Sequence, residues 1–333
     1  MEKQQWNPAA ILQLSGGYWS ACALHAGVKL DLFTHLSDRE YGAAELSATL
    51  SVDTRALEML LNALSALELL EKNGAGYKAT SFASRFLSKN SPDYLGYIIQ
   101  HHHHLMPGWA LLAKSVQSGL PVRERVSHAD DDSVRECFEM GMFNLAMLIA
   151  PVIVSKLELS TRRRLLDLGG GPGTYAIHFC RQNPQLEAIV YDLPSTRRFA
   201  EKTIASFGLE SRISFMDGDF VAEGIQGSFD VAWLSHILHG EGPEGCRTIL
   251  AKAKAALEPG GMLLVQEFIL NDRKDGPIFP ALFSLNMLVG TESGQSYSEG
   301  ELMGMMKEAG LVDLKRVDID LPNGAGIISG SIA

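Results

Sequence analysis

The sequence predicts an α/β protein with two domains, a mainly helical one in front and one built on a parallel β-sheet behind it. Three observations support this prediction. The 333 residues exceed the length of an ordinary single domain. Apolar residues recur at helical spacing through much of the first 159 residues. From about residue 160, short apolar runs alternate with amphipathic stretches, which is the pattern of βαβ units.

Composition and charge exclude several classes of protein. Hydrophobic residues make up 46% of the chain and charged residues 20%, as in a folded globular protein rather than a disordered one. The net charge of −10 argues against a nucleic-acid partner, because binding to phosphates needs clustered Lys and Arg. The cysteines lie far apart without a CxxC pair, so neither a zinc site nor a disulfide framework is expected. They are Cys22, Cys137, Cys180 and Cys246.

No segment of the sequence has the pattern of a signal peptide or a membrane span. The N-terminal MEKQQWNPAA is polar. The most apolar segment, Met142 to Val154, is shorter than the roughly 20 residues that cross a bilayer as a helix. We therefore expect a cytoplasmic protein with no membrane partner.

A winged-helix-like domain is predicted for residues 1–100. Three helical segments lead into LLEKNGAGYKA, where turn signals separate two short β-prone runs, as in a hairpin. Asp53 is a candidate N-cap of the third helix and Gly74 a candidate stop. Residues 38–78 hold four basic and seven acidic residues, which disfavours contact with DNA. The leucines here are instead expected to bury against a partner subunit: Leu57, Leu60, Leu61, Leu64, Leu67 and Leu70.

Residues 101–159 are predicted to form interdomain helices that line a substrate pocket, with the domain boundary near Leu159. CFEMGMFNLAMLIAPVIVSKL is apolar on almost every face, as expected of a helix packed between two domains. The run His101 to His104 has a composition that suits metal binding. Four successive positions of a helix point in four directions, however, and cannot converge on one ion, so the sequence predicts no metal site.

Residues 160–333 are predicted to form the sheet domain. Five apolar runs have the pattern of strands in a parallel sheet, and the tail adds two β-like runs separated by Pro-Asn-Gly, which predicts a terminal antiparallel hairpin. The five runs are RRLLDLG, EAIVYDL, ISFMDGD, FDVAWLS and GGMLLVQEF.

A glycine-rich loop, DLGGGPG, follows the first of these strands, and glycine there lets a ligand approach the backbone. Asp192 ends the second strand, where a carboxylate can accept hydrogen bonds from both ribose hydroxyls of NAD or of S-adenosylmethionine. Asp219 and Phe220 follow the third strand and are placed to meet the adenine amino group and ring. The GxGxG spacing differs from the GxGxxG of dinucleotide folds. Alternatively, both aspartates only cap helices.

The order of these signals resembles the class I methyltransferase fold, and more closely the plant-type small-molecule O-methyltransferase family. The resemblance covers nearly the whole chain. It rests on DLGGGPG, on YDLP at Tyr191–Pro194, GDF at Gly218–Phe220, LSHILH at Leu234–His239, LEPGGMLLVQE up to Glu267 and KEAGL at Lys307–Leu311.

The resemblance implies a Rossmann-like, seven-stranded methyltransferase sheet with S-adenosylmethionine as the cofactor. It also implies that the N-terminal domain forms an intertwined homodimer and helps to close the partner's substrate pocket. The cofactor-binding residues expected on this basis are Asp167, Gly169, Gly170, Gly171, Asp192, Leu193, Gly218, Asp219, Phe220 and Ser235.

Methyl transfer from a sulfonium needs mainly an aligned, deprotonated acceptor, because the leaving thioether is neutral. His236 and His239 follow the fourth strand, at the same sheet edge as the glycine loop. The resemblance implies that His239 is the general base and that Glu267, ending the fifth strand, orients its ring. A purely structural role for both residues is the alternative.

Three departures from the family pattern surround His239. The family has Asp-Trp where Gly240 and Glu241 stand, and Lys and Trp where Ser235 and His236 stand. A second family glutamate aligns with Ser296, so one carboxylate that would assist the base is missing. Methylation of carbon or nitrogen, and loss of methyl transfer, therefore stay open as alternatives.

The pocket for a small-molecule methyl acceptor is expected to be apolar and flat. Its candidate residues are Trp109, Phe143, Asn144, Met147, His236, Phe283, Asn286 and Met287, most of which could equally be plain core at their helical spacing. The leading hypothesis is methylation of a hydroxyl on a small aromatic or polyketide-like metabolite. An NAD-dependent oxidoreductase is disfavoured by the glycine spacing, and a winged-helix ligand-sensing regulator by the acidic recognition helix.

Overall fold

The computed structural model describes residues 6–126 and 131–333. The chain divides into two compact units, one reaching to Leu105 and the other running from Met106 to Ala333. Each unit has its own hydrophobic core, as expected for a chain of this length.

The first unit is helical with a small sheet. Its helices are α1 (Pro8–Gly16), α2 (Tyr18–Lys29), α3 (Leu32–Asp38), α4 (Ala43–Leu50), α5 (Thr54–Ala66) and α6 (Ser81–Leu87), followed by α7 (Gly96–Ala110), which crosses into the second unit. Strands β1 (Tyr41–Gly42), β2 (Leu70–Asn73) and β3 (Gly76–Ala79) form an antiparallel sheet in the order β1-β3-β2. The predicted hairpin is therefore present.

Local signals explain how this unit begins and ends its elements. Asp53 caps α5 as predicted, because its carboxylate accepts a hydrogen bond from the backbone N–H of Ala56 at 2.8 Å. Gly74 does not stop that helix, which ends at Ala66. It lies instead in the β2–β3 turn with φ of +60°, a conformation that glycine adopts without strain.

Six leucines on and after α5 were predicted to bury against a partner subunit, and for four of them this is wrong. Leu57, Leu61, Leu64 and Leu70 are buried within the first unit, in the same apolar cluster as Phe33. Leu57, Leu61 and Leu64 recur at helical spacing because one face of α5 covers its own domain's core. Leu67 is the exposed member of the set.

The second unit carries the large sheet. Its strands are β4 (Arg164–Leu168), β5 (Glu187–Asp192), β6 (Ile213–Asp217), β7 (Phe229–Ser235), β8 (Leu257–Phe268), β9 (Val312–Arg316) and β10 (Ala325–Ser331). Its helices are α8 (Leu112–Ser118), α9 (Asp132–Lys156), α10 (Thr174–Gln182), α11 (Arg197–Ser206), α12 (Pro243–Ala255), α13 (Ile278–Gly290) and α14 (Glu299–Glu308).

The seven strands lie in the order β6-β5-β4-β7-β8-β10-β9, which confirms the predicted seven-stranded α/β sheet. Strands β4 to β8 are parallel to one another, while β10 runs antiparallel to both β8 and β9. The parallel strands end at one edge of the sheet. Ligands of open α/β sheets bind at this carboxyl edge, where the order of the strands reverses, here beside β4.

Helix α9 belongs to the second unit, which begins at Met106, whereas the boundary was predicted near Leu159. Ala150, Ile153 and Val154 of α9 are buried against α10, which makes α9 part of the core of the sheet domain. At 25 residues, α9 is longer than the apolar stretch seen in the sequence, and by length and composition alone it could cross a membrane. Core helices meet the same criteria.

Candidate active site

The glycine-rich loop links the end of β4 to the start of α10. Gly169, Gly171 and Gly173 have φ of +66°, +53° and +76°. These values lie in the left-handed region of backbone conformation, which residues other than glycine rarely adopt. Gly170 is restricted by space instead: a Cβ on it would lie 2.7 Å from Cγ of Asp167. The loop therefore exposes bare backbone at the carboxyl edge of the sheet.

Two predicted aspartates flank this loop. Asp192 accepts hydrogen bonds from the backbone N–H of Gly171 at 2.8 Å and of Leu193 at 2.7 Å, and each carboxylate oxygen keeps a further lone pair. Asp167 is buried and accepts from Ala176 N through Oδ2. Its Oδ1 is also buried and has no hydrogen-bond partner among the described residues, so it can serve a ligand. These features fit an adenosyl cofactor.

Glu139 of α9 is a third carboxyl group at this edge, and it was not predicted from the sequence. Its Oε1 accepts a hydrogen bond from Thr196 Oγ1 at 3.1 Å, and its Oε2 lies 3.5 Å from where a Cβ on Gly171 would be. Burial, with the negative charge of Asp192, raises the pKa of Glu139 to about 8. The only sequence signal was an acidic residue inside an apolar helix.

Burial raises the pKa of the two predicted aspartates as well. The pKa of Asp167 rises to about 7, mainly through desolvation and partly through the charge of Asp192, although the hydrogen bond from Ala176 opposes this. The pKa of Asp192 is raised by burial, against the hydrogen bonds from Leu193 and Gly171. Three carboxyl groups with raised pKa values therefore border the glycine loop, and a bound cation would favour their ionised forms.

The residues after β6 and β7 complete this side of the site. The Phe220 ring lies 3.3 Å from where a Cβ on Gly169 would be, so it borders the loop. Gly218 N donates to the carbonyl of Asp192, which joins the ends of β5 and β6. Asp219 Oδ1 accepts from the backbone N–H of Val221 in a turn, and β7 is the next element after it, so Asp219 does not cap a helix. Ser235 ends β7, and its hydroxyl donates to Gln266 on β8.

His239 and Glu267 are in direct contact. Nδ1 of His239, in a short 3-10 turn after β7, lies 2.9 Å from Oε2 of Glu267, which is nearly the last residue of β8. The Glu267 side chain is 3% exposed, and backbone N–H groups of His239 and Phe268 also donate to it. Burial alone would raise the pKa of Glu267, but the hydrogen bond from His239 and the proximity of both His239 and His236 outweigh it and hold that pKa well below its usual range.

His236 was predicted to bind substrate, and the structure places it beside the same carboxylate. Its Nδ1 lies 3.6 Å from Glu267 Oε2. The backbone of His236 has φ of +57°, uncommon for a residue other than glycine, and its ring lies 4.2 Å from that of Phe268, centre to centre. The potential ligand atoms of His236, His239 and Glu267 all lie within 4.8 Å of one another.

Three phenylalanines form an apolar wall beside these histidines. Phe283 of α13 meets the His239 ring edge to face at 4.8 Å, and Phe268 lies 4.8 Å from both Phe283 and Phe279. Phe283 was predicted from its position after Glu267. Phe268 and Phe279 were missed, because the sequence alone does not tell which aromatic side chains turn towards the histidines.

The other predicted pocket residues are buried or partly buried, and three of them have polar contacts that can be named. Trp109 Nε1 donates to Oδ1 of Asn286 at 3.1 Å, so residues 177 positions apart meet, and Arg123 donates to the carbonyl of Asn286. Asn144 and Met287 are buried, and Phe143 is partly buried. Met147 lies with its sulfur 3.3 Å from Nε2 of His178 on α10. The structure therefore joins Trp109 to Asn286, whereas Met147 contacts α10.

The residues near His239 that differ from the family pattern make contacts of their own in the structure. Glu241 pairs with Arg125 at 2.6 Å, and a Cβ on Gly240 would clash with Nη2 of that arginine. Ser296 is buried in a loop next to the His239 turn, since Gln295 N donates to the His239 carbonyl. The hydroxyl of Ser296 has no hydrogen-bond partner in the described part of the chain. A serine here leaves Glu267 as the carboxylate in contact with His239.

Comparison with known proteins identifies the family. The O-methyltransferase domain family matches residues 118–312, and the O-methyltransferase dimerisation domain family matches residues 12–89. The chain is 33% identical over 329 residues to the 3-hydroxy-5-methyl-1-naphthoate 3-O-methyltransferase of Streptomyces sahachiroi, covering 97% of this chain and 95% of that protein. It is 30% identical to the tetracenomycin polyketide synthesis 8-O-methyl transferase of Streptomyces glaucescens, with 95% of each chain covered.

Solved structures give the same result. An O-methyltransferase family protein from Burkholderia thailandensis has a TM-score of 0.89 at 29% identity, covering 99% of both chains. PigF with SAH has a TM-score of 0.90 at 28% identity, covering 98% of this chain and 100% of that one. The chain therefore belongs to the O-methyltransferase family and is an S-adenosylmethionine-dependent O-methyltransferase.

Proposed function

We propose that this enzyme methylates a hydroxyl group of a small aromatic or polyketide-like metabolite, with His239 taking the proton of that hydroxyl. The observation that carries the proposal is the 2.9 Å contact between His239 Nδ1 and Glu267 Oε2. Because Glu267 is ionised, Nδ1 must carry the proton of this hydrogen bond. The other ring nitrogen, Nε2, is then left with a free lone pair.

The glycine loop and its carboxylates are proposed to hold the methyl donor. S-adenosylmethionine supplies an electrophilic methyl group on a positively charged sulfonium. Asp192 and the backbone of Leu193 would hold the ribose, and Phe220 would cover the adenine ring. Asp167 has the free buried oxygen described above, and Gly169 to Gly171 let the donor approach the backbone.

Glu267 acts on the base rather than on the acceptor. Its carboxylate is fixed by the backbone N–H groups of His239 and Phe268, so it holds the His239 ring in one orientation and stabilises the imidazolium that forms when Nε2 accepts a proton. Phe283 packs edge to face on the same ring and limits the access of water.

The acceptor class is proposed from the aromatic wall and from the relatives. Phe268, Phe279 and Phe283 offer an apolar surface to a flat molecule. Of the two relatives described above, one is named for a hydroxynaphthoate and the other for tetracenomycin polyketide synthesis. A second candidate is methylation of nitrogen, since the chain is also 30% identical over 313 residues to the N,N-dimethyltransferase OxyT of Streptomyces rimosus.

The test compares the wild type with His239→Ala on a series of hydroxynaphthoate acceptors of decreasing hydroxyl pKa. If His239 is the base, kcat for a weakly acidic hydroxyl falls by about 10²- to 10⁴-fold. The loss becomes small for an acceptor that is already ionised at the assay pH. Affinity for S-adenosylhomocysteine, measured by calorimetry, stays within about threefold because the donor residues are untouched.

The control is His35→Gln, which changes a histidine of the first unit that contacts Tyr41. An equal loss on ionised and un-ionised acceptors would remove the base assignment. Turnover of amine acceptors without turnover of hydroxyl acceptors would support the nitrogen alternative.

A further inference from the structure

We propose that His236, His239 and Glu267 form a binding site for a divalent transition metal such as Zn²⁺, and that the bound metal inhibits the enzyme. The metal site rests on geometry alone. Its inhibitory effect also rests on the proposed role of His239 as the base.

The spacing of the three side chains suits a tetrahedral ion. Ligand atoms about 2.0–2.1 Å from Zn²⁺ lie about 3.3 Å apart in a tetrahedral site. Oε2 of Glu267 is 2.9 Å from Nδ1 of His239 and 3.6 Å from Nδ1 of His236, values on either side of that separation. The two ring nitrogens lie within 4.8 Å of each other, so a small rotation of the rings completes the set.

The surroundings of the site also favour a metal. Nδ1 of His236 is buried and has no hydrogen-bond partner among the described residues, so it faces the carboxylate without a competing bond. Backbone N–H groups already fix the Glu267 carboxylate, as in metal sites whose ligands are oriented by further hydrogen bonds. Two imidazoles and one carboxylate form the ligand set of zinc hydrolases, which leaves a fourth position open.

Inhibition follows because the metal would occupy Nδ1 of His239 and not Nε2. A metal on Nδ1 of His239 displaces the proton that this atom donates to Glu267, and Nε2 takes up a proton in its place. The ring stays neutral and carries its one proton on Nε2. Nε2–H is a donor without a free lone pair, so it cannot take a proton from the acceptor hydroxyl. Zn²⁺ and Co²⁺ should therefore inhibit, whereas Mg²⁺, which prefers oxygen ligands, should not.

The histidine run is the main competitor for such an ion. His25 and His103, both in the first unit, have ring centres 5.6 Å apart. Within residues 6–126 and 131–333, however, the set around Glu267 is the one group of three potential ligands that is close enough for a single ion.

The test uses Co²⁺, whose visible absorption reports tetrahedral nitrogen and oxygen coordination without any methyl transfer. Chelator-treated enzyme is titrated with Co²⁺ alone, then with Zn²⁺ to displace it, and in parallel with Mg²⁺. We expect a visible band at one equivalent of Co²⁺. His236→Gln and Glu267→Gln should each weaken Co²⁺ binding by at least about tenfold, while His103→Gln leaves it unchanged.

Thermal stabilisation by S-adenosylhomocysteine confirms that each variant is folded, since the donor residues are intact in all of them. Loss of the band in His103→Gln, or its persistence in both His236→Gln and Glu267→Gln, would overturn the metal site. A band that appears as expected, with hydroxyl methylation unaffected or stimulated by Co²⁺, would leave the site standing and refute the inhibition.

Discussion

Glu139 holds a proton in a place where a charge would be costly. It is 4% exposed and lies near Asp192, so its ionised form loses hydration and meets a like charge. Thr196 and Arg135 oppose the shift but do not cancel it. With a pKa of about 8, the carboxyl of Glu139 is mostly neutral at pH 7.

The raised pKa of Glu139 makes stability depend on pH. Below about pH 4.5 the carboxyl is protonated in the folded and the unfolded chain, so it costs nothing. As the pH rises towards 8, the unfolded chain gains from ionisation and the folded chain does not, so stability falls. Glu139→Gln should remove this loss, and its free energy of unfolding relative to the wild type should rise by roughly 3 kcal/mol between pH 5 and pH 8.

Chemical denaturation at a series of pH values measures this difference. Glu136→Gln is the matched control, because it removes a partly exposed carboxylate from the same helix. A constant difference between Glu139→Gln and the wild type across the range would mean that Glu139 is ionised in the folded protein.

At the scale of elements, the sequence predicted those features that depend on local order along the chain. Strand, glycine turn and helix follow one another within a few residues around Gly169, and successive parallel strands must end at one edge, which places Asp192 and Phe220 beside that loop. The spacing of apolar residues was sufficient to predict the seven strands of the sheet.

Features that depend on packing between distant elements were missed. Glu139 joins the site only because α9 packs against α10, and Thr196 is 57 residues away from it. Helical spacing on α5 predicted a buried face correctly, but periodicity does not say whether the face covers its own domain or a partner. The wall formed by Phe268 and Phe279 likewise depends on where α13 lies.

The glycine loop gives a prediction for one element. A Cβ on Gly170 would lie 2.7 Å from Cγ of Asp167, closer than side-chain contacts allow, so Gly170→Ala must displace that buried carboxylate. We expect a cost of about 1–3 kcal/mol, seen as roughly fivefold to hundredfold weaker binding of S-adenosylhomocysteine by calorimetry.

Gly304→Ala is the control for this substitution. It lies within α14 with nothing near its would-be Cβ, so alanine should stabilise the protein by about 0.5–1 kcal/mol and leave binding unchanged. Equal affinities in the two variants would show that the loop does not hold the donor.

At the scale of the whole molecule, the first unit presents large apolar side chains to solvent. They lie before or on α1 and α2 and are about half exposed or more: Trp6, Ile11, Leu12, Leu14, Tyr18 and Trp19. Such a contiguous set is typical of an interaction surface. The dimerisation domain family matches residues 12–89, which include most of this set, so a second copy of the chain is the expected partner.

The double variant Leu14→Glu, Trp19→Glu should therefore separate the dimer. The side chains of Leu14 and Trp19 are 67% and 69% exposed in the single chain, so glutamate at these positions does not disturb its core. In a dimer, the two introduced carboxylates would be buried without partners, which is costly. Sedimentation should give the mass of one 36.3 kDa chain, against twice that mass for the wild type and for the control Val312→Glu on β9. Binding of S-adenosylhomocysteine should persist in the monomer, because the residues proposed to bind the methyl donor all belong to the second unit. A double variant that sediments like the wild type would place the dimer contact on another surface.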